Sequence, residues 1–226
     1  MNDPRILTVR PREGEYAWTF GGAAPVARIE PRTFLDVYTE DCFAGRVRSE
    51  KDLVSSVCEF PFLNPQTGPF HVVGAEPGDT VAVHFVSVEP ARDWAASTTV
   101  PLSCGVAVEC AMNTLVLAEL LKGVTTPWPR IESDTHLMST GSARPLEDAL
   151  RISQLDLVQW LARDYGLSGL DAYQLVSQAG EAPLANVCDT NYTCVAKIRK
   201  EWLPAGDPHR GHHRHLRETA TLLPSP

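Results

Sequence analysis

The sequence predicts an α+β fold weighted towards β, a sandwich-like body of short strands that carries one antiparallel pair of helices. Three observations predict it. Apolar stretches of four to nine residues recur along most of the chain, with glycine and proline between them, as strands and turns require. Only one region, 145–179, repeats its apolar residues at the three- and four-residue steps of helices packed on one face. The 226 residues are 43% hydrophobic, enough for a substantial core.

The helical pair is the most explicit element. Pro145 suits a first helical position, because its missing N–H would be unpaired there in any case. Glu147 and Asp148 put negative charge in the first turn, where the helix dipole favours it. Leu146, Leu150, Leu157 and Leu161, with Ala149 and Val158, make one apolar stripe. Gly166 is the expected stop, and Ser168 followed by Asp171 resembles a capping pair for a second helix over 169–179. Helices joined by so short a loop pack antiparallel or lie together on a sheet.

The strands follow in chain order. Residues 6–9 form a short strand before Pro11, and 16–20 with 25–29 flank Gly21-Gly22 as in a hairpin. Residues 33–39 alternate around Phe34, Leu35, Val37 and Tyr38, whereas 53–62 are apolar but irregular. The stretch 63–70 reads as a rigid loop, in which proline fixes φ and glycine admits a close backbone. Residues 80–88 are the clearest strand. Val81, Val83 and Phe85 lie on one side and Ala82, His84 and Val86 on the other, which predicts a central strand buried on both faces. Residues 97–102 are small and β-branched, 105–110 alternate as a strand, and 114–121 suit either state. Gly141-Ser142 reads as a turn, and 184–187 with 192–198 as strands around Asp189-Thr190-Asn191. One domain is expected over 1–202. From Leu203 onward prolines, arginines and histidines replace core residues, which predicts a disordered tail over 203–226.

Composition excludes several classes. A net charge of −8 leaves no broad basic field, so neither nucleic acid nor an anionic membrane surface is an expected partner. No apolar run approaches a membrane span, the first residues lack a signal-peptide core, and a cytoplasmic protein is expected. Six cysteines form no Cys-x-x-Cys pair and read as free thiols. His209, His212, His213 and His215 are interleaved with arginines that repel a cation, and read as part of the solvated tail. Neither a Gly-x-Ser-x-Gly elbow nor a phosphate-binding Gly-x-x-x-x-Gly-Lys loop occurs.

Several longer motifs resemble one family. They are Asn64-Pro65-Gln66-Thr67-Gly68-Pro69-Phe70, Gly74-Ala75-Glu76-Pro77-Gly78-Asp79-Thr80, Ala91-Arg92-Asp93-Trp94, Gly105-Val106-Ala107-Val108-Glu109, Thr126-Pro127-Trp128-Pro129-Arg130, His136-Leu137-Met138, Gly141-Ser142-Ala143-Arg144-Pro145 and Asp189-Thr190-Asn191-Tyr192. In this order they are similar to landmarks of the acetamidase/formamidase family. The resemblance implies a β-rich fold with a helical insertion and a cytoplasmic homo-oligomer. It also implies hydrolysis of small linear amides to carboxylate and ammonia, assisted by a divalent metal such as zinc.

One departure accompanies the match. Family members carry a long middle region between the Ala-Arg-Asp-Trp and Gly-Val-Ala-Val-Glu landmarks, with Gly-Gly-Asn-x-Asp and Gly-Asp-x-His-x-x-Gln-Gly-x-Gly-Glu motifs. Neither motif occurs here, and the chain passes directly through Leu102-Ser103-Cys104. Such a shortening would leave the flanking strands 80–88 and 105–110 with bare edges, so self-association is expected. Of the remaining groups, Glu109 is a candidate acid/base and His136 either a second one or a structural histidine. Asn64 and Gln66 are candidates for binding a substrate amide or for stabilising their loop. Arg92, Asp93 and Trp94 read as a salt bridge under an indole. Two functions stay open: a weakened amide hydrolase, or an inactive family remnant that serves assembly.

Overall fold

The structure, a computed structural model, describes residues 5–97, 108–187 and 190–223. The described chain separates into two compact units. One comprises 5–97, 108–125 and 216–223, and the other 126–187 and 190–215.

The first unit contains β1 (Ile6–Val9), β2 (Ala27–Ile29), β3 (Thr33–Thr39), the single turn α1 (Val54–Val57), β4 (Phe70–Val72), β5 (Thr80–Pro90) and β6 (Met112–Leu121). Its main sheet has the order β1-β3-β6-β5, with β1 parallel to β3 and the other pairs antiparallel. The register explains which residues are core. Leu35 lies opposite Val116, and Thr33 opposite Ala118, so these share a face with Val37. The small parallel ribbon of β2 and β4 covers that face with Ile29, Phe70 and Val72. On the opposite face Phe34 and Leu117 are buried with Leu216.

The register also corrects two expectations. Among the described residues β5 is an edge strand, not a central one. Ala82 and Val86 pack beside the buried Phe34 and Leu117, but Val81, Val83 and Phe85 are 42%, 49% and 63% exposed. The strands around Gly21-Gly22 do not form a hairpin either. Residues 27–29 pair in parallel with 70–72, and Ala17 forms an isolated bridge with Gln66. The proline-bearing loop over 63–70 offers these short segments a partner, which outcompetes their own closure.

The second unit contains β7 (Arg130–Glu132), β8 (His136–Ala143), α2 (Leu146–Tyr165), α3 (Gly169–Ala179), β9 (Leu184–Asn186) and β10 (Tyr192–Arg199), in an antiparallel sheet ordered β7-β8-β10-β9. α3 spans the expected 169–179 and α2 stops at the expected Gly166, but α2 begins at Leu146, with Pro145 as its N-cap rather than its first residue. Gly166 takes the left-handed cap conformation at φ 65°, and the Ser168 hydroxyl accepts the Asp171 N–H. The stripe is rotated from the expected one. Leu157, Leu161 and Ala149 are fully buried, but Trp160, Ser153 and Asp156 join them and Leu150 stays 40% exposed. Leu157, Trp160 and Leu161 pack with Leu137 of β8 and with Ala196 and Ile198 of β10.

Gly141 is not a turn residue but lies within β8. A Cβ there would meet the Ala149 carbonyl oxygen and come within 2.7 Å of the Ser153 nitrogen. Glycine is what lets the backbone of α2 rest on the strand. Beneath the helix, Asp156 accepts from Arg130 Nε and Nη2 at 2.9 and 2.7 Å and from the Ser139 hydroxyl at 2.5 Å, so its buried charge is fully partnered.

The segment expected to be a disordered tail is ordered over its described part. Leu203 packs on the core of the second unit, and the His209 ring stacks on Trp160 at 5.1 Å. α4 (His212–Ala220) follows and buries Leu216. Single apolar residues spaced among charged ones suffice here because each meets an existing pocket, which composition does not reveal.

Candidate active site

The polar centre of the first unit is built on the segment that leaves β3. Tyr38, Glu40, Asp41 and Cys42 are presented in succession. The Asp41 carboxylate accepts the Phe43 and Gly45 N–H groups at 2.8 and 2.9 Å and so holds the following tight turn. Gly45 is required at that turn: its φ is 66°, and a Cβ would come within 3.2 Å of Glu40 Oε2.

Beyond the end of β5, Arg92 returns to this segment. Its Nη1 donates to Glu40 Oε1 at 2.7 Å and its Nη2 to Asp41 Oδ2. The guanidinium lies 3.8 Å from the Trp94 ring centroid, so the indole covers the ion pair. A salt bridge under an indole was the expected arrangement, but its acids come from the segment after β3 and not from Asp93. Glu40 also accepts from the Tyr38 hydroxyl at 2.9 Å. Burial, with Glu40's hydrogen bond and charge, pushes the Tyr38 hydroxyl up to about 12. One cation is thus shared by two carboxylates in a largely buried site, and removing the guanidinium leaves both without a counter-charge.

Glu109 is half-buried at the margin of this centre. Its backbone makes an isolated bridge with Ala96, N–H to O at 2.7 Å and the reverse at 2.8 Å. Residues 105–107 of the strand expected around it lie outside the described residues, as do the Leu102-Ser103-Cys104 junction and Asp189. Ala96 packs with Cys42, Phe43 and Cys58. Burial, then the charge of Glu109 and of Asp41, pushes the Cys42 thiol up to about 12, and a hydrogen bond with Glu109 adds to the shift.

The loop over 63–70 closes the other side. The Asn64 N–H donates to the Cys42 carbonyl at 2.9 Å and the Thr67 hydroxyl to the Tyr38 carbonyl at 2.7 Å. Asn64 sits at φ 59°, a conformation asparagine tolerates better than most residues. The Gln66 backbone is paired with Ala17. The structure therefore brings Glu109 and the Asn64–Gln66 loop to one carboxylate segment.

His136 belongs to the second unit. There it opens β8 with Nδ1 2.8 Å from the Thr135 hydroxyl, and its N–H donates to Ser133 Oγ. Glu40, Asp41 and Cys42 were not singled out from the sequence, because no motif marks a pairing with Arg92 across about fifty positions. Cys42, Cys58, Cys110 and Cys194 are free thiols.

Among the described residues the divalent metal implied by the resemblance finds no fitting donor set. Among the described residues no three His, Cys, Asp or Glu side chains converge, and Glu40 and Asp41 are already held by Arg92. His213 is paired with Asp134.

No family model matches the sequence, and no curated protein matches it. Solved structures do. An acetamidase from Yersinia enterocolitica is 28% identical with a TM-score of 0.78, over 89% of this chain and 93% of that one. A predicted acetamidase/formamidase from Thermoanaerobacter tengcongensis gives 0.74 at 17% identity, over 88% and 96% of the two chains. An acetamidase from Bacillus halodurans gives 0.71 at 17%, over 80% and 93%. The mainly-β α+β fold is the one these proteins share. The resemblance to the acetamidase/formamidase family read from the sequence motifs is thus matched by the structures this chain is similar to. Among the described residues no helix is long and apolar enough to cross a membrane.

Proposed function

We propose that this protein is a cytoplasmic amidohydrolase acting on the carbon–nitrogen bond of small linear amides, and that the isolated chain turns them over weakly. The similarity to the Yersinia enterocolitica acetamidase supports the reaction class. The observation that carries the weak turnover is the clamp of Arg92 on Glu40 and Asp41. It leaves Glu109 as the acid/base group beside the Asn64–Gln66 loop, while the Cys42 thiol is held protonated and is no nucleophile at neutral pH.

In this reading the side-chain amides of Asn64 and Gln66 donate to the substrate carbonyl. Glu109 takes a proton from water as the water oxygen bonds to the carbonyl carbon. It returns that proton to the nitrogen as the carbon–nitrogen bond breaks, giving ammonia and a carboxylic acid. A single acid/base residue contributes roughly 10²–10⁴-fold, well short of a complete enzyme.

Ammonia release from formamide and acetamide tests this. A slow rate lost in Glu109→Gln supports it, and His136→Asn, run alongside, decides whether the second candidate takes part. An enzyme-like rate overturns the weakness, and a rate unchanged in Glu109→Gln removes that residue from the mechanism. No turnover at all favours the inactive remnant.

A further inference from the structure

We infer that the groove between α2 and α3 is a binding site for a small amphipathic carboxylate, an acid with an apolar alkyl tail. This stands apart from the hydrolysis reading, because the groove lies wholly in the second unit and is read out as binding rather than turnover.

The first ground is the rotation of the α2 stripe. The helix buries Trp160 and leaves Leu150 40% and Leu155 58% exposed, with Val158 half-buried. On α3, Tyr173 is 60% exposed while Val176, three residues on, is buried. Leu150, Gln154 and Val158 recur at four-residue steps, and Tyr173, Val176 and Ser177 at three- and four-residue steps, so each helix contributes one face. The two faces meet around a cavity of about 620 Å³. Apolar side chains that the core does not take therefore line a concave space, not a flat surface.

The second ground is the size and chemistry of the lining. Small-molecule sites are clefts of roughly 300–1,000 Å³, mainly apolar, with a few polar groups that fix orientation. Here Leu150, Leu155, Val158, Tyr173 and Val176 supply the apolar lining, and Arg151, Gln154 and Ser177 the polar groups. A protein partner engages roughly 20–30 residues on a side. The groove has nine, which suits a small molecule.

Charge decides which small molecule. Arg151 is the one charged residue among those lining the groove. Its Nη1 donates to Asp148 at 2.7 Å, in an exposed pair one turn apart of the kind that contributes little. A guanidinium holds further N–H donors in the same plane, so Arg151 can still grip a carboxylate through its other edge. Leu155 lies four positions on and Val158 follows, so a tail leaving Arg151 runs along both and over Val176. The chain's net charge of −8 opposes an anion at long range. Burial of the tail, rather than attraction of the head, therefore supplies most of the affinity.

Calorimetric titration of the full chain with acetate, hexanoate, octanoate and 1-octanol tests the inference. Saturable one-site binding is expected for octanoate, roughly five- to tenfold tighter than for hexanoate, from the two added CH₂ groups. Acetate, with no tail, should give none. Arg151→Gln should weaken octanoate about fivefold or more and leave octanol unchanged, since only the acid uses the guanidinium. Ser177→Trp, at an exposed position of α3, fills the groove and should abolish both with an unchanged circular dichroism spectrum. Ammonia release from formamide, followed in the same variants, should not change, so the failure of either reading is seen separately. Absence of saturable octanoate binding overturns the inference. So does binding indifferent to Ser177→Trp, which lies elsewhere on the molecule, and so does an equal loss of octanoate and octanol in Arg151→Gln.

Discussion

The two four-stranded sheets of this protein are covered in different ways. In the second unit a 20-residue helix lies along β8 and β10, and Leu137, Ala196 and Ile198 are fully buried beneath it. In the first, a ribbon of two three-residue strands covers the sheet only as far as β6. A helix of 20 residues spans about 30 Å, whereas a three-residue strand spans about 10 Å. The lesson is that apolar residues in a strand do not dictate burial. The length of the covering element does, and β5 lies beyond its reach.

The largest test of this contrast pairs two substitutions. Leu157→Ala removes a fully buried side chain from beneath the helix and should cost about 2–5 kcal/mol. Val83→Thr, on the uncovered edge, should stay within about 0.5 kcal/mol when measured on dilute protein. Equal costs in urea unfolding would mean that the two sheets are covered alike.

Gly141→Ala sharpens the account of how the helix seats. The added methyl would have to displace backbone at Ala149 and Ser153, which cannot yield as a flexible side chain does. A loss of about 1–3 kcal/mol is expected, and a neutral outcome would show that α2 can lift from β8 without consequence.

A smaller effect separates the units by pH. The Cys42 thiol and the Tyr38 hydroxyl both titrate near about 12 in the folded first unit, raised from 9.0 and 10.0. A raised pKa means that the folded state holds the proton more tightly. Their contribution is therefore full below about pH 9 and declines as pH rises through 9 towards 12. Hydrogen exchange at pH 10 should show the first unit loosening before the second. At pH 8, alkylation followed by peptide mapping should leave Cys42 unmodified in the folded chain. Rapid modification of Cys42 would contradict the raised pKa and reopen the thiol as a nucleophile.

Much of the fold was legible because its causes are local. The left-handed Gly166, the Ser168 cap and the periodicity of Leu157 and Leu161 each act within a turn or two of helix, and the structure contains all three. The rotation of the stripe that buries Trp160 and exposes Leu150 was not legible. It depends on where Gly141 lets the helix touch the sheet. The tail shows the same limit, since Leu216 is one apolar residue among charged ones until Phe34 and Leu117 receive it.

At the candidate site, the motifs around Asn64, Gln66 and Arg92 were readable as stretches of sequence, and Glu109 as a carboxylate in an apolar run. By itself the sequence determined the family resemblance, the mainly-β α+β class and the extent of the helical pair, because these rest on residue order and on periodicities of two and 3.6. Tertiary structure alone decided that Arg92 holds Glu40 and Asp41, which stand 52 and 51 positions away. It also decided that β5 lies at the edge of its sheet among the described residues. An ion pair across such a separation and the cover over a strand both depend on what other segments bring to the same place, and a strand's own alternation is the same with or without that cover.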